Sequence, residues 1–248
     1  MSTIYILWLR QLKRYLRSTP RLIGSLGQPI LFLVALGFGL GPVFQKAGQG
    51  NYLSFLAPGV IAQSILFTSV FNGIELIWDR QFGFLKETLV APVSRFNIML
   101  GRVLGGATIA MLQGTIVFFL SLLIGFRPSH LSLLPLTFVT MFCIALLFTA
   151  LGTAIASSID DFHGFQLITN FLVMPLFFLS GALFPLNNLP PFMEIITRID
   201  PLTYGVDALR GTLIGASHFG IGFDISFLAL FALFLCGVGA YLFSKVQV

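Results

Sequence analysis

An all-helical membrane fold with six transmembrane helices is what this sequence predicts, on three observations. Hydrophobic residues make up 56% of the 248 and charged residues only 9%, against about 25% charged in soluble domains. Six apolar stretches are long enough, at roughly 20 residues, to cross a bilayer as helices. Five basic side chains, Arg10, Lys13, Arg14, Arg17 and Arg21, recur at helical spacing just before the first stretch, and such a cluster holds its end of the chain in the cytoplasm. With so few charges there is no room for a water-soluble domain of useful size, so 1–248 reads as one transmembrane domain. The net charge of +5 sits at membrane flanks; no nucleic-acid partner is expected, and membrane lipids are.

Taken in order, residues 1–21 come first. Ile4, Leu7, Trp8, Leu12, Tyr15 and Leu16 recur at i, i+3 and i+4, opposite Arg10, Lys13, Arg14 and Arg17. That pattern predicts an amphipathic helix in the interface plane, apolar face among acyl chains and basic face near anionic headgroups. An ordinary topogenic flank is the plainer alternative. The helix bundle fills 22–243, with spans at Leu22–Leu40, Leu53–Ile77, Ile98–Phe126, Leu131–Ala156, Phe165–Phe184 and Ile225–Phe243. A Gly/Gln-rich loop with Gly48, Gln49, Gly50 and Asn51 joins the first two. The first run exceeds the 7–15 residues of a secretory apolar core and lacks a small-residue cleavage site after it, so it is expected to be retained.

Counting tests the direction. With six spans and the N-terminus inside, cytoplasmic segments hold ten of the Lys and Arg residues and external segments four. The excess agrees with the positive-inside rule and puts both termini in the cytoplasm. Cys143 and Cys236 lie in apolar runs and read as small buried hydrophobes rather than a disulfide.

Two further segments are not spans. Asp79–Arg102 is too polar to cross a bilayer and too apolar for a solvated linker. Phe82, Leu85 and Leu89 share a helical face, with Arg80, Lys86 and Glu87 as polar contacts, and Pro92 ends the short helix. Such a stripe invites a protein partner, or rests on the membrane or on neighbouring helices. Between the last two spans, Pro185, Asn187, Asn188, Pro190 and Pro191 make a tight turn, and Asp200–Pro201 is a strong helix start. The helix that follows, carrying Tyr204, Asp207 and Arg210, is too short to span; 185–215 therefore reads as an external re-entrant hairpin protected by protein. Asp207 and Arg210, at i and i+3, are expected to pair.

The chemistry of an enzyme is missing. No G-x-x-x-x-G-K-[ST] or H-E-x-x-H occurs, and His130, His163 and His218 are scattered in loops; no catalytic, cofactor-binding or metal-binding residue is assigned. Glu75 and Asp79, one turn apart and close to Arg80 and Arg102, read as a structural ion-pair group before a substrate or proton site; Asp224 lies near the outer end of span six. Pro29, Pro58 and Pro175 can kink their helices. Gly37/Gly41 and Gly101/Gly105 have the spacing of close helix approach, a weak signal among 25 glycines.

LAPGVIAQSILF (Leu56–Phe67), LKETLVAPVSRFNIMLGRVLGG (Leu85–Gly106) and FFLSGALFPLNNLPPFMEIITRIDPLTYGVDALRG (Phe177–Gly211) resemble signature stretches of the ABC type-2 transporter permeases, the group of daunorubicin-resistance and nodulation-factor exporters. The resemblance covers nearly the whole chain. It implies an interfacial N-terminal helix, a coupling helix between spans two and three, placed here at 79–91, and an external hairpin before span six. Phe82, Leu85, Lys86, Glu87 and Leu89 are then the coupling residues. It also implies a homodimer on two ATP-binding subunits, which would hold ATP and Mg, in a prokaryotic cytoplasmic (inner) membrane.

A passage of Phe, Leu and Thr without fixed charge predicts an amphipathic, lipid-like or drug-like cargo. Polarity within spans one, two and five suggests Gln28, Gln63, Phe67, Phe71, Thr169, Asn170 and Phe178 as its lining. An ion-coupled secondary transporter, an intramembrane enzyme and a non-transporting anchor for an ATPase are the rival readings.

Overall fold

The computed structural model describes residues 2–46, 50–90, 92–186 and 190–246. Gly48, Gln49, Ala91, Asn187 and Asn188, to which the sequence assigns loop, helix-end and turn roles, lie outside the described residues. Among those described the structure is helical, without strands. Among the described residues six helices are long and apolar enough to cross a membrane: Thr19–Gly39, Tyr52–Gln81, Arg95–Ile124, Leu131–Ser158, Phe162–Leu179 and Ile221–Ser244. The fifth stops earlier than its apolar run. Ser180 Oγ donates to the Phe177 carbonyl, and Gly181, at φ +74°, turns the chain away.

The second span is the centre of the bundle. Of its apolar window 78% is buried, against 17% for the first span and 22% for the fifth and sixth. Close approach at its middle depends on missing side chains. A Cβ on Gly73 would lie 2.7 Å from the Gly152 carbonyl carbon, and one on Gly152 would lie 2.8 Å from Val70 Cα, so the second and fourth spans touch backbone to backbone. The second span breaks at this crossing, between helices Tyr52–Phe71 and Ile74–Gln81. Pro29 lies inside the first span, which widens to a π-helical turn over Phe32–Leu36; the lost N–H of proline and its ring favour such a local rearrangement.

Thr3–Leu16 is a helix capped by Ser2, whose Oγ accepts from the Tyr5 N–H. It is docked on the third span rather than lying free in the interface. Leu7, Gln11 and Tyr15 are buried, and the seam is made by glycines: a Cβ on Gly101 would sit 3.0 Å from Leu7 Cβ, and one on Gly105 3.1 Å from Gln11 Cβ. The stripe assigned to acyl chains thus packs on protein, because Gly101 and Gly105 leave a groove for it. Tyr5, Ile6 and Leu16 remain exposed.

Beyond the fifth span, Pro191–Ile199 leaves Phe192, Ile195 and Ile199 exposed, whereas Pro201–Ile214 is almost wholly buried among the second, fourth and sixth spans. Asp200 Oδ1 caps that helix at the Leu202 N–H (2.8 Å), and Gly215 ends it at φ +74°. Burial pushes the Asp200 carboxyl up to about 8.

The expected Asp207–Arg210 pair does not form. Asp207 accepts from the His218 and Phe219 N–H groups at 2.8 Å and from Ser217 Oγ at 3.2 Å. Arg210 turns away: its Nη2 donates to the Gly181 and Ala182 carbonyls at 2.8 and 3.2 Å, and its guanidinium lies 3.8 Å from the Phe55 ring centroid. Each charge satisfies loop backbone that would otherwise be left buried without partners.

The crossing predicts a sharp contrast. Gly152→Ala should cost about 1–3 kcal/mol by overpacking and lower the thermal unfolding midpoint in detergent. Gly237→Ala, with nothing within 4 Å of its Cβ position, should be neutral or slightly stabilising. Equal midpoints for the two variants would refute the backbone-contact account.

Candidate functional site

Two features meet at the end of the bundle where the N-terminal helix docks: an ion-pair network and, next to it, a cavity of mixed polar and apolar lining. The network centres on Asp79, in the last turn of the second span and nearly inaccessible. Arg102 of the third span reaches its Oδ2 at 2.5 Å. Arg10 and Arg14 of the N-terminal helix approach Oδ1 at 3.2 and 3.7 Å. One turn earlier, Glu75 pairs with Arg21 at 2.5 Å, and Arg21 also donates to Asn72 Oδ1. Arg80 does not join this group. It pairs with Asp160 and donates to the Ser157 and Ile159 carbonyls, tying the second span to the turn after the fourth.

Aromatic faces hold the cations. Arg14 lies 5.8 Å from the Trp78 ring and Arg10 5.8 Å from Phe84, while Trp78 stacks on Phe162. Such contacts each add on the order of 1 kcal/mol. Polar side chains close the seam deeper in: Trp8 Nε1 donates to Thr108 Oγ1 (3.0 Å), and Tyr15 Oη to Gln113 Oε1 (2.7 Å). Of the predicted interfacial residues, Trp8, Arg10 and Arg14 thus face protein partners, while Lys13 and Arg17 are exposed. Gln11, Thr108, Gln113 and Trp78 were not singled out from sequence; the signal available for Gln11 was a polar residue inside an apolar stripe.

The segment that follows is shorter than 79–91. The helix of the second span ends at Gln81, Gly83 turns the chain at φ +81°, and a new helix occupies Phe84–Val90. Asp79 therefore belongs to the span. Leu85 is fully buried and Leu89 half-buried against the core, so they fasten this helix to the bundle. Phe82, Phe84 and Val90 are exposed, as are Lys86 and Glu87. Phe82 precedes the helix and does not share the face of Leu85.

The cavity, about 190 Å³, lies between the first and second spans. Gln28, Gln63, Phe67 and Phe71, four of the residues suggested by polarity, line it, together with Arg21 and Ser64. Gln63 is 1% exposed, and neither its nitrogen nor its oxygen has a partner among the described residues. The suggested residues of span five do not line it. Thr169 is buried, Asn170 is exposed, and Phe178 is exposed against Phe177, whose ring meets Phe32 and Phe67. Among the described residues no cluster of three or more His, Cys, Asp or Glu is placed to hold a metal.

Removing one partner from a buried ion pair costs about 3–5 kcal/mol, far more than removing both. Asp79→Asn should therefore destabilise strongly by thermal unfolding in detergent, and Asp79→Asn combined with Arg102→Met should recover part of the loss. Additive losses in that double-mutant cycle would show that the pair is not coupled.

Comparison with known proteins matches this architecture. The family model described as "ABC-2 type transporter" covers residues 2–214. Nodulation protein J of Sinorhizobium fredii (strain NBRC 101917 / NGR234) is 32% identical over 88% of this chain and 84% of its own length. Its counterpart in Rhizobium meliloti (strain 1021) is 31% identical over 85% and 80%. A protein of Cyanophora paradoxa named "Putative transport permease ycf38" is 28% identical over 99% and 89%. The chain belongs to the ABC-2 type transporter family of membrane permeases.

Proposed function

We propose that this chain is the membrane-spanning subunit of an ATP-driven exporter, working as a pair of identical copies on two ATP-binding subunits that hold ATP and Mg. The observation that carries this reading is the Phe84–Val90 helix, anchored inward by Leu85 while Lys86, Glu87 and Val90 face out. Phe84 and the nearby Asp79 cluster join it to the N-terminal helix and the third span. A push on this helix therefore moves a connected body. The basic end is the cytoplasmic side, by the positive-inside rule, in a prokaryotic cytoplasmic membrane with both termini inside.

Differences among the outer spans support a partner copy. The sixth span exposes Phe223, Leu230, Leu233, Phe234 and Tyr241, a lipid-like face. The fifth and first spans also expose apolar side chains, Leu167 and Phe171 on the fifth and Ile30 and Leu31 on the first, but carry the exposed Asn170 and Gln28 among them at mid-span. Polar side chains in mid-span are costly against hydrocarbon, so the first and fifth spans face a second subunit or a passage. The cavity between spans one and two is the cargo's first polar contact, and its mixture of amide and aromatic side chains suits an amphipathic, lipid-like or drug-like molecule. Arg21, its one ionisable wall besides Tyr15, is already paired with Glu75, which favours ATP over an ion gradient as the energy source.

Two measurements test the reading. A tagged preparation purified gently from its native membrane should bring down an ATPase activity that Glu87→Arg removes or uncouples; no co-purifying ATP-binding protein would overturn it. Gln63→Leu should leave that ATPase bound and its basal rate intact but lower cargo-stimulated turnover about tenfold, the effect of losing on the order of 1.4 kcal/mol of polar contact.

A further inference from the structure

A groove distinct from the cavity opens between the second half of the N-terminal helix and the start of the first span. Its volume is about 620 Å³, and it is lined by Arg10, Lys13, Arg14, Arg17, Ser18 and Pro20. Neighbouring charges leave this wall positive. Glu75 is taken by Arg21, and Asp79 is met most closely by the buried Arg102. Arg10 and Arg14 stand farther from Asp79, with 40% and 41% of their side chains accessible. Lys13 and Arg17 form no ion pair among the described residues. Four cations thus face one groove with no carboxylate in its lining.

The groove is also prearranged. Phe84 and Trp78 lie 5.8 Å from the Arg10 and Arg14 guanidiniums, so taking up an anion costs less ordering than on free side chains. Guanidinium groups match phosphate oxygens in pairs. At the same end of the molecule, Leu16 and Ile23 are 55% and 67% exposed. Cations beside bare aliphatic side chains suit a ligand that joins a phosphate to hydrocarbon. An acidic protein surface would match the first feature and not the second.

We propose that this groove binds the headgroup of an anionic phospholipid, with Lys13 and Arg17 as its outer contacts and Arg10 and Arg14 as its inner ones. Because Arg10 rests on Phe84 and Arg14 on Trp78, the bound lipid steadies the Phe84–Val90 helix. The inference rests on reading this end as the membrane–water boundary and is independent of the cargo and of the ATP-binding partner.

The test uses the full chain in detergent, titrated with phosphatidylglycerol or phosphatidylcholine and followed by native mass spectrometry and thermal unfolding. Wild type should retain phosphatidylglycerol at least about tenfold more tightly and gain thermal stability from it. The double variant Lys13→Gln/Arg17→Gln should weaken phosphatidylglycerol binding about thirtyfold, at roughly tenfold or less per basic residue near a charged surface, and leave phosphatidylcholine unchanged. Lys46→Gln/Arg127→Gln, which removes the same charge elsewhere, should keep the preference. No headgroup preference in wild type, or an equal loss in both double variants, overturns the proposal. Equal stabilisation by inorganic phosphate would assign the groove to a soluble anion instead. A Lys13→Gln/Arg17→Gln protein that keeps its lipid preference but loses its ATP-binding partner would make the groove a protein-docking face. Glu87→Arg should not alter lipid binding, so failure of the coupling reading is told apart from failure of this one.

Discussion

The structure depends on giving one buried carboxylate its partners in an apolar chain. Asp79 lies at the end of the most buried span, where an unpaired charge would cost several kcal/mol. It is held by arginines from two other elements, Arg102 on the third span and Arg10 and Arg14 on the N-terminal helix. That shared demand joins three segments distant in sequence. Arg21 with Glu75 and Arg80 with Asp160 extend the connection to the first span and to the turn before the fifth. A short helix leaves this junction at Gly83, with Phe84 beside Arg10 and Leu85 buried in the bundle.

Elsewhere the bundle is closed by the absence of side chains. Gly73 and Gly152 let the second and fourth spans meet backbone to backbone, Gly59 does the same for Ala182, and Gly101 with Gly105 seats the N-terminal helix. Among the described residues most of the tight interhelix contacts involve the second, third and fourth spans and the inserted helix Pro201–Ile214, with Gly239 of the sixth span against Met99 as a further one. The first and fifth spans have few such contacts, and the first is loosened further by Pro29 and its π-helical turn. Rigid packing and ionic clamps thus occupy one part of the molecule. The cavity occupies its boundary with the looser part.

What the sequence made legible follows the strength of each physical signal. Apolar length located all six spans, since each must satisfy its backbone internally while crossing about 30 Å of hydrocarbon. Asp200–Pro201 announced its helix because carboxylate cap and proline act locally. Gln28, Gln63, Phe67 and Phe71 could be grouped because a polar residue in a span is conspicuous. Pairings across the fold were not legible: Arg80 with Asp160, or Asp207 with the 217–219 backbone, depend on which loop arrives nearby. Local spacing suggested Asp207 with Arg210, and tertiary demand overrode it. The Gly101/Gly105 spacing was visible but its partner was not, as nothing local says that a helix about 90 residues earlier will fill the groove.

Gln63 shows why the cavity is more than a packing fault. Its amide is enclosed by the second span's own core, yet its donor and acceptor find no protein partner among the described residues. Leaving such groups bare costs about 1–3 kcal/mol each, a cost that water or any other hydrogen-bonding molecule in the space would offset. A purely hydrocarbon molecule would leave the cost in place, and the lining sets Phe67, Phe71 and Pro29 beside Gln28, Ser64 and the already paired Arg21. Under the exporter reading, this mixed lining matches a cargo that joins a polar group to an apolar body, with the Gln63 amide as its polar contact.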